Sequence, residues 1–517
     1  MGLRDLNFDQ CYSAVASRDP RFDGLFIVGV RTTGIYCRPS CPTPITPKRE
    51  NVQFYVCAAA AQLAGFRACK RCRPDAIPGS PEWDTRADLV GRAMRLIADG
   101  VVDRDGVTGL AWRLAISERH LHRILVEAVG APPLALARAQ RAQTARVLVE
   151  TTELTFGDIA FAAGFPSIRQ FNETIREVFA GTPSELRGAK RRGERGQAGS
   201  LTVRLPLRTP YDADAVLGWL AHRAVAGIEE SDGGCYRRTL TLPGGTGTVT
   251  LEPGSGSRGG RTGGRTGGRT GGRTGGRTRG SAVLGNEVDH MLATFHLATI
   301  ADLPAAVARS RRLLDLDADP GAFGSVLGSD EVMGPLVRSR PGLRAPGAVD
   351  GAEWAVRVVL GQHISVRAAR TVTGRLVAVY GKPLDRPDGG LTHAFPPPET
   401  LAEADLESLG LTRARAAAVR ELARELSAGN LVLDVGADRR AAEEQLLAIP
   451  GVGPWTVAHV ALRSLGDPDA FPAGDLGLQL AATRLGLADH AVALTHRANR
   501  WRPWRGYAAH YLWEVTA

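Results

Sequence analysis

Two pairs of cysteines constrain this 517-residue chain more tightly than any other feature. Cys37 and Cys41 are separated by three residues, Cys69 and Cys72 by two, and 27 residues lie between the pairs. Each pair can grip a metal ion from a tight knuckle, and four soft thiolates select zinc, so the segment must bring both knuckles to one tetrahedral point. One Zn2+ is expected there. Cys11, Cys57 and Cys235 have no partner at such spacing, and seven cysteines in a chain of this length do not make a disulfide framework.

The length implies three or four domains. The formal net charge is +10, but residues 253–282 contribute seven arginines and no acid, so the rest of the chain is nearly balanced. Residues 1–200 carry 28 basic against 21 acidic side chains, whereas 201–517 without that segment carries 29 against 33. The nucleic-acid-directed field therefore belongs to the front end. No charged-then-apolar leader opens the chain and no apolar run approaches the roughly 20 residues of a membrane span, which predicts a cytoplasmic protein with no membrane partner.

Around the cysteines stand FIVGVRTTGIYCRPSCPTP, ENVQFY and AGFRACKRCRPD. These segments are very similar to the N-terminal domain of Ada, the bacterial alkylation sensor. The resemblance implies that Cys37 accepts a methyl group from a methylphosphotriester in the DNA backbone, as a metal-held thiolate is a competent nucleophile. Four thiolates on Zn2+ give a formal charge of about −2, and methylating one would reduce it to −1 and strengthen DNA binding. Arg31, Arg67, Lys70 and Arg71 are the candidate phosphate contacts. After Cys41 the chain reads PTPITPKRE, with prolines where that family offers more basic residues.

Residues 85–190 carry one plan twice. A lead-in helix, ADLVGRAMRLIADG, precedes VTGLAWRLAISERHLHRILVEAVGAPP, which reads as helix, turn at 115–117, and a second helix capped by Ser117. A long helix, ALARAQRAQTARVLVE, leads to TFGDIAFAAGFPSIRQFNETIREVFAGTPSELR, with its turn at 164–166 and Ser167 as cap. The doubled arrangement resembles the AraC family of transcription regulators, and would set two recognition helices roughly 34 Å apart on one DNA face. Arg119, His120 and Arg123 in the first unit, and Arg169, Gln170 and Asn172 in the second, are the candidates for base or phosphate contact.

A polar, Gly-rich hinge follows, then LTVRLPLRTPYDADAVLGWLAHRAVAGIEESDGGCYRRTLTLPGGTGTVTLEP, which alternates strand-like and helical stretches and resembles the strand-rich opening domain of AlkA. SRGGRTGGRTGGRTGGRTGGRTRGS interrupts it with a four-residue repeat that has no apolar side chain to bury, and disorder is expected. It is either a solvated loop expanded by repetition or a nonspecific DNA tether.

The last segment contains LLAIPGVGPWTVAHVALRSLGDPDAFPAGDLGLQ, residues 446–479. Gly451, Gly453 and Pro454 predict a tight turn whose amides can approach a phosphate at a helix start, and FPAGD places Asp475 after a Pro/Gly turn and before a new helix. The stretch resembles the helix-hairpin-helix, Gly/Pro-rich loop and Asp signature of base-excision DNA glycosylases of the AlkA type. That resemblance makes Asp475 catalytic and puts Trp455, Trp513, His459, Gln362 and His363 at the lesion pocket. His363 falls where that family has an apolar wedge, and an ordinary surface histidine reads equally well. A lysine stands at the position of Trp455 in relatives that also cleave the strand, so a monofunctional glycosylase without lyase chemistry is expected.

The expected architecture is multidomain α+β. It comprises a small zinc-bound α/β domain at 1–80, an all-α double helix-turn-helix domain at 85–190 and a linker at 191–200. An AlkA-type strand-rich domain at 201–300 with its insert at 253–282, and an all-α helix-hairpin-helix glycosylase domain at 301–517, complete it. The resemblances imply an Ada–AlkA fusion, a type II DNA-3-methyladenine glycosylase with a stoichiometric methyl acceptor and a transcription-activating module. Its partners would be alkylated and promoter double-stranded DNA, with RNA polymerase during activation, and the chain would act as a monomer. The competing reading is a regulator whose glycosylase half only adds DNA affinity. No PCHR methyl-acceptor motif is present, so direct repair of O6-methylguanine is not expected.

Overall fold

The computed structural model describes residues 8–17, 26–39, 41, 43, 46–69, 72, 88–152, 154–188, 200–232, 234–254, 288–434 and 437–516. Lys70, Arg71, most of the hinge and the Arg/Gly insert lie outside the described residues. No helix among them is long and apolar enough to cross a membrane.

The cysteine-bearing segment forms a four-stranded mixed sheet in the order Val52–Tyr55, Ile27–Val30, Ile35–Cys37, Arg67–Ala68, antiparallel except for the last pair. Phe26 and Val28 are buried in one core cluster against it, and Tyr36 and Ala68 in another. The last strand runs straight into the second cysteine pair, and the Cys69 amide donates to the Tyr36 carbonyl at 3.0 Å, which sets that pair beside the end of the strand carrying Cys37.

Both helix-turn-helix units form from their caps. Ser117 accepts from the His120 amide and opens helix Glu118–Val129; Ser167 accepts from the Gln170 amide and opens Ile168–Phe179. Each turn passes through the left-handed region, at Ala115 with φ 54° and Gly164 with φ 84°. Gly164 is required on space as well, because an added Cβ would meet the Asp103 carboxyl at 3.0 Å. Leu136, Ala142, Ala145 and Val149 of the long helix Pro133–Thr151 are buried against the units it joins. Phe171 and Phe179, fully buried, contribute about 1.5–3 kcal/mol each.

Residues 201–296 give a five-stranded antiparallel sheet, ordered Leu201–Pro206, His290–His296, Gly245–Pro253, Tyr236–Leu242, Glu229–Ser231. The Arg/Gly insert therefore joins two neighbouring strands whose register closes at Pro253 opposite Met291. Loop-closure cost rises only by about 0.6 kcal/mol per doubling of length, so a hairpin connection tolerates such an expansion. The sheet's core does not end at residue 300: Leu303, Ala306, Leu313 and Leu316 belong to it, and the helices from Pro320 onward pack with the C-terminal helices instead.

The last part is helical and also carries a two-stranded hairpin, Lys382–Asp388 with Leu391–Ala394. Helices Arg439–Ala448 and Pro454–Arg463 flank the Gly451 turn. A buried ion square joins the strand-rich part to the helical part. Arg238 donates to Glu229 at 3.0 Å and to Glu353 at 2.7 Å, and Arg357 donates to both carboxylates at 2.9 Å. Burial opposes the Glu229 charge, but Arg357 and Arg238 hold its carboxyl well below the usual range. Two cations balance two anions here, so removing one partner strands a buried charge. We expect Arg238→Met to destabilise the chain by about 3–5 kcal/mol, read as a lowered urea midpoint, with the loss shrinking as pH falls from about 4 through the lower folded value and Glu229 is protonated.

Candidate active site and metal centre

Asp475 is the N-cap of helix Leu476–Arg484, and the turn before it is closed by its own amide donating to Pro472 O at 2.8 Å. Its Oδ1 accepts from the Leu478 amide at 3.2 Å and from Trp513 Nε1 at 2.9 Å; its Oδ2 accepts from Trp455 Nε1 at 3.0 Å. Three helices thus converge on one carboxylate: the hairpin's second helix, the helix Asp475 caps, and the terminal helix Arg505–Thr516. Gly477 makes the approach possible, as an added Cβ would lie 3.1 Å from Asp475 Oδ1 and 3.2 Å from the Trp513 ring.

His459 follows Trp455 by one helical turn and its ring lies among the indoles, 4.4 Å from Trp455 and 5.7 Å from Trp513 between centroids. Its Nε2 is 3.5 Å from Asp475 Oδ2, long for a hydrogen bond, and has no other partner. Burial pushes His459 below its ordinary value despite the pull of Asp475, so the imidazole is neutral near pH 7. Burial also opposes ionisation of Asp475, yet His459 first, and then the Trp513 and Trp455 indole N–H groups, hold the carboxyl well below the usual range. The two indoles and the Leu478 amide add fixed donors to what His459 contributes, aided by the positive end of the helix.

Gly451 sits at φ 88° at the tip of the hairpin, and Gly453 caps the next helix without any side-chain hydrogen bond, leaving first-turn amides for an anion. Gln362 is committed to this hairpin: its Nε2 donates to Gly451 O at 3.0 Å and to Thr456 Oγ1 at 2.8 Å, so both N–H bonds are used within the protein. His363 beside it is exposed at φ 56°, a conformation few non-glycine residues adopt, and projects from the turn that ends helix Gly351–Gly361.

At the other end of the chain the Sγ atoms of Cys37, Cys41, Cys69 and Cys72 all lie within 4.8 Å of one another, and all four are free thiols. Four sulfurs at Zn–S distances of about 2.3 Å would stand roughly 3.8 Å apart, so the cluster fits a single zinc ion. Cys69 and Cys72 are buried and Cys41 is half-exposed, while Cys37 is half-exposed as a whole residue but buried within the cluster. Arg31 is exposed nearby but donates to Glu50 O at 2.8 Å, and Arg67 is half-buried on its strand.

In the helix-turn-helix units Arg119, Arg123 and Arg169 are exposed, and His120, Gln170 and Asn172 are half-exposed at the starts of the second helices. Three are engaged with neighbours: Arg123 and His120 with each other, through His120 Nδ1 at 3.0 Å, and Arg169 with Glu173 at 2.9 Å. Sequence reasoning missed the layer behind the aromatic wall, namely Trp219, Trp354, Arg463 and His510. Nothing local in the sequence marks them, because Trp219 lies more than two hundred residues before the hairpin.

Four family models match the chain. They are "Metal binding domain of Ada" over residues 10–75, "Helix-turn-helix domain" over 110–189, "AlkA N-terminal domain" over 202–259 and 269–350, and "HhH-GPD superfamily base excision DNA repair protein" over 356–505. The chain is 52% identical over 510 residues to a Mycobacterium tuberculosis protein named "Probable bifunctional transcriptional activator/DNA repair enzyme AlkA", covering 98% of this chain and 96% of that one. It is 32% identical over 311 residues to Escherichia coli "DNA-3-methyladenine glycosylase 2", spanning 59% of this chain and 94% of that protein. It is also 37% identical over 182 residues to E. coli "Bifunctional transcriptional activator/DNA repair enzyme Ada", spanning 35% of this chain and 49% of that protein.

The depressed Asp475 has a consequence for stability. A carboxylate held low adds stability above its unfolded value of about 3.9 and loses it as pH falls through the folded value. Asp475→Asn is therefore expected to lower the melting temperature at pH 6–7 and to converge with the wild type in strong acid, which thermal melts across pH 2–7 would check.

Proposed function

The chain belongs to the family of bifunctional transcriptional activator/DNA repair enzymes that join an Ada-type metal-binding domain and a helix-turn-helix to an AlkA-type glycosylase, and on that premise we propose how its residues divide the work. The observation that carries the proposal is the ionised Asp475 clamped between two indole N–H donors beside a helix-hairpin-helix. The substrate class is an N-alkylated base in duplex DNA. The hairpin amides around Gly451 and Gly453 hold the backbone, His363 enters the stack, and the flipped cationic base lies against Trp455, Trp513 and the neutral His459.

As the glycosidic bond breaks, its electrons leave with the base, which neutralises the alkylated ring and puts positive charge on the sugar. Asp475 stabilises that charge and orients the water that adds to the anomeric carbon, the water's proton passing to solvent. A carboxylate held this low is a weak base, so its electrostatic role dominates over proton abstraction. The excision is monofunctional, without lyase chemistry, even though the polypeptide as a whole is bifunctional in the sense of its relatives' names. Lys382 is the only lysine after residue 190 and lies on the hairpin strand Lys382–Asp388, not among the residues around Asp475.

At the front end, Cys37, Cys41, Cys69 and Cys72 would hold zinc, whose chemistry is to keep the sulfurs as thiolates at neutral pH. Cys37 sulfur attacks the methyl carbon of a phosphotriester; the S–C bond forms, the C–O bond breaks and the phosphodiester leaves as an anion. One negative charge disappears from the DNA-facing end, which favours promoter binding by the paired helix-turn-helix units and contact with RNA polymerase by the DNA-bound monomer.

Purified protein should release 3-methyladenine from methylated duplex DNA, and Asp475→Asn should lose at least about 10²-fold in rate while still binding DNA. Absence of release from the folded wild type would make the helical half a binding module. In a crossed assay, Cys37→Ala should abolish methyl uptake from methylphosphotriester DNA and leave base release intact; uptake retained by Cys37→Ala would move the acceptor to Cys41.

A further inference from the structure

We propose that Arg463 is a positioning residue for base excision, acting on Asp475 through Trp513, and that the strand-rich accessory domain completes this device with Trp219. The inference rests on the reading of Asp475 given above and extends it to the layer behind the aromatic wall.

Arg463 ends the hairpin's second helix, one turn beyond His459, and is 1% exposed. Among the described residues no carboxylate lies within ion-pair distance of it. Its Nη1 donates to Pro346 O, its Nη2 meets His510 Nε2, and its Nε has no partner. Burying a guanidinium without a counter-ion is costly, and arginine does not escape the cost by deprotonating. What receives it instead is a pair of ring faces. The guanidinium carbon lies 4.3 Å from the Trp219 centroid and 5.8 Å from the Trp513 centroid. Arg223 covers Trp219 as well, at 4.2 Å.

The consequence runs forward to the reacting centre. Trp513 is gripped behind by the Arg463 cation and by His510, whose ring stands edge-on at 5.1 Å, and the one polar atom of its indole is thereby aimed at Asp475 Oδ1, 2.9 Å away. An indole free to tilt would give up that bond, and burial would then raise the carboxyl. The groups facing this site from its neighbours do not replace the lost donor. His459 and His510 are held neutral by burial, and Glu514 adds a like charge beyond Arg223. Arg223 remains a cation, with burial lowering it only to about 10. Burial and the neighbouring Arg223 cation disfavour the Arg463 charge, and Asp315 offsets them only in part.

The test is the pH profile of 3-methyladenine release under single-turnover conditions by the full chain, for wild type, Arg463→Met, Arg463→Lys and Trp219→Leu. Arg463→Met should lower the maximal rate about 10–100-fold and move the acid limb up by about one pH unit, with the concentration for half-maximal rate little changed. Arg463→Lys, which keeps a cation over the rings, should restore the wild-type acid limb, and Trp219→Leu should shift it in the same direction as Arg463→Met. If Arg463→Met does not fold, Trp219→Leu decides. A folded Arg463→Met or Trp219→Leu that is slower with an unmoved acid limb would overturn the proposal and leave these residues purely structural. If the wild type releases no base, the Asp475 reading fails first and takes this one with it.

Discussion

A single buried negative charge sets the terms for the helical half of the molecule. The Asp475 carboxylate is mostly removed from water, where ionisation is disfavoured, yet in the proposed role it must be charged to face a cationic transition state. The fold resolves this with fixed dipoles rather than a counter-ion: two indole N–H groups and a helix-start amide. Each comes from a different helix, so the packing that holds those helices together also holds the charge. The ion square of Glu229, Arg238, Glu353 and Arg357 follows another solution to the same problem, with full charges paired against each other where no chemistry has to occur.

How much of this was legible in the sequence depends on distance along the chain. The cysteine knuckles, the Ser117 and Ser167 caps, the Gly451 turn and the N-cap position of Asp475 are set by residues within a few places of one another, and all are visible as local patterns. Trp455 and His459 were assigned to the pocket through family likeness. Trp513 lies 38 residues from Asp475 and was reachable only through family likeness. Arg463 and Trp219 were invisible, because an arginine at a helix end and a tryptophan in an amphipathic helix carry no sign that they will stack on each other across two domains. Gln362 shows the reverse case: its place in the sequence suggests a pocket residue, but two hydrogen bonds commit its amide to the hairpin.

The accessory domain is thereby drawn into the site. A boundary at residue 300 treats the strand-rich part as a separable scaffold, but Leu303–Leu316 completes its core and Trp219 reaches the rings behind Asp475. The Arg/Gly insert departs from the same sheet without disturbing it, since it leaves at Pro253 and returns opposite at Met291. Length in that loop costs little, while a change in the helix Ala213–Arg223 would be felt at the carboxylate.

The choice of cations tells the same story in composition. Lysine occurs only at positions 48, 70, 190 and 382, and arginine supplies nearly all the positive charge. An arginine cannot lose its proton to become an amine nucleophile, and its planar face stacks on indole. A chain that places arginines behind its aromatic wall can therefore bury positive charge close to a reactive sugar without offering it a nucleophile. The low-lying carboxylate adds to this, because it is already ionised, with no proton to give, and accepts one only weakly. In the proposed mechanism, what reaches the sugar is electrostatic stabilisation and a water molecule, with no amine to open the strand.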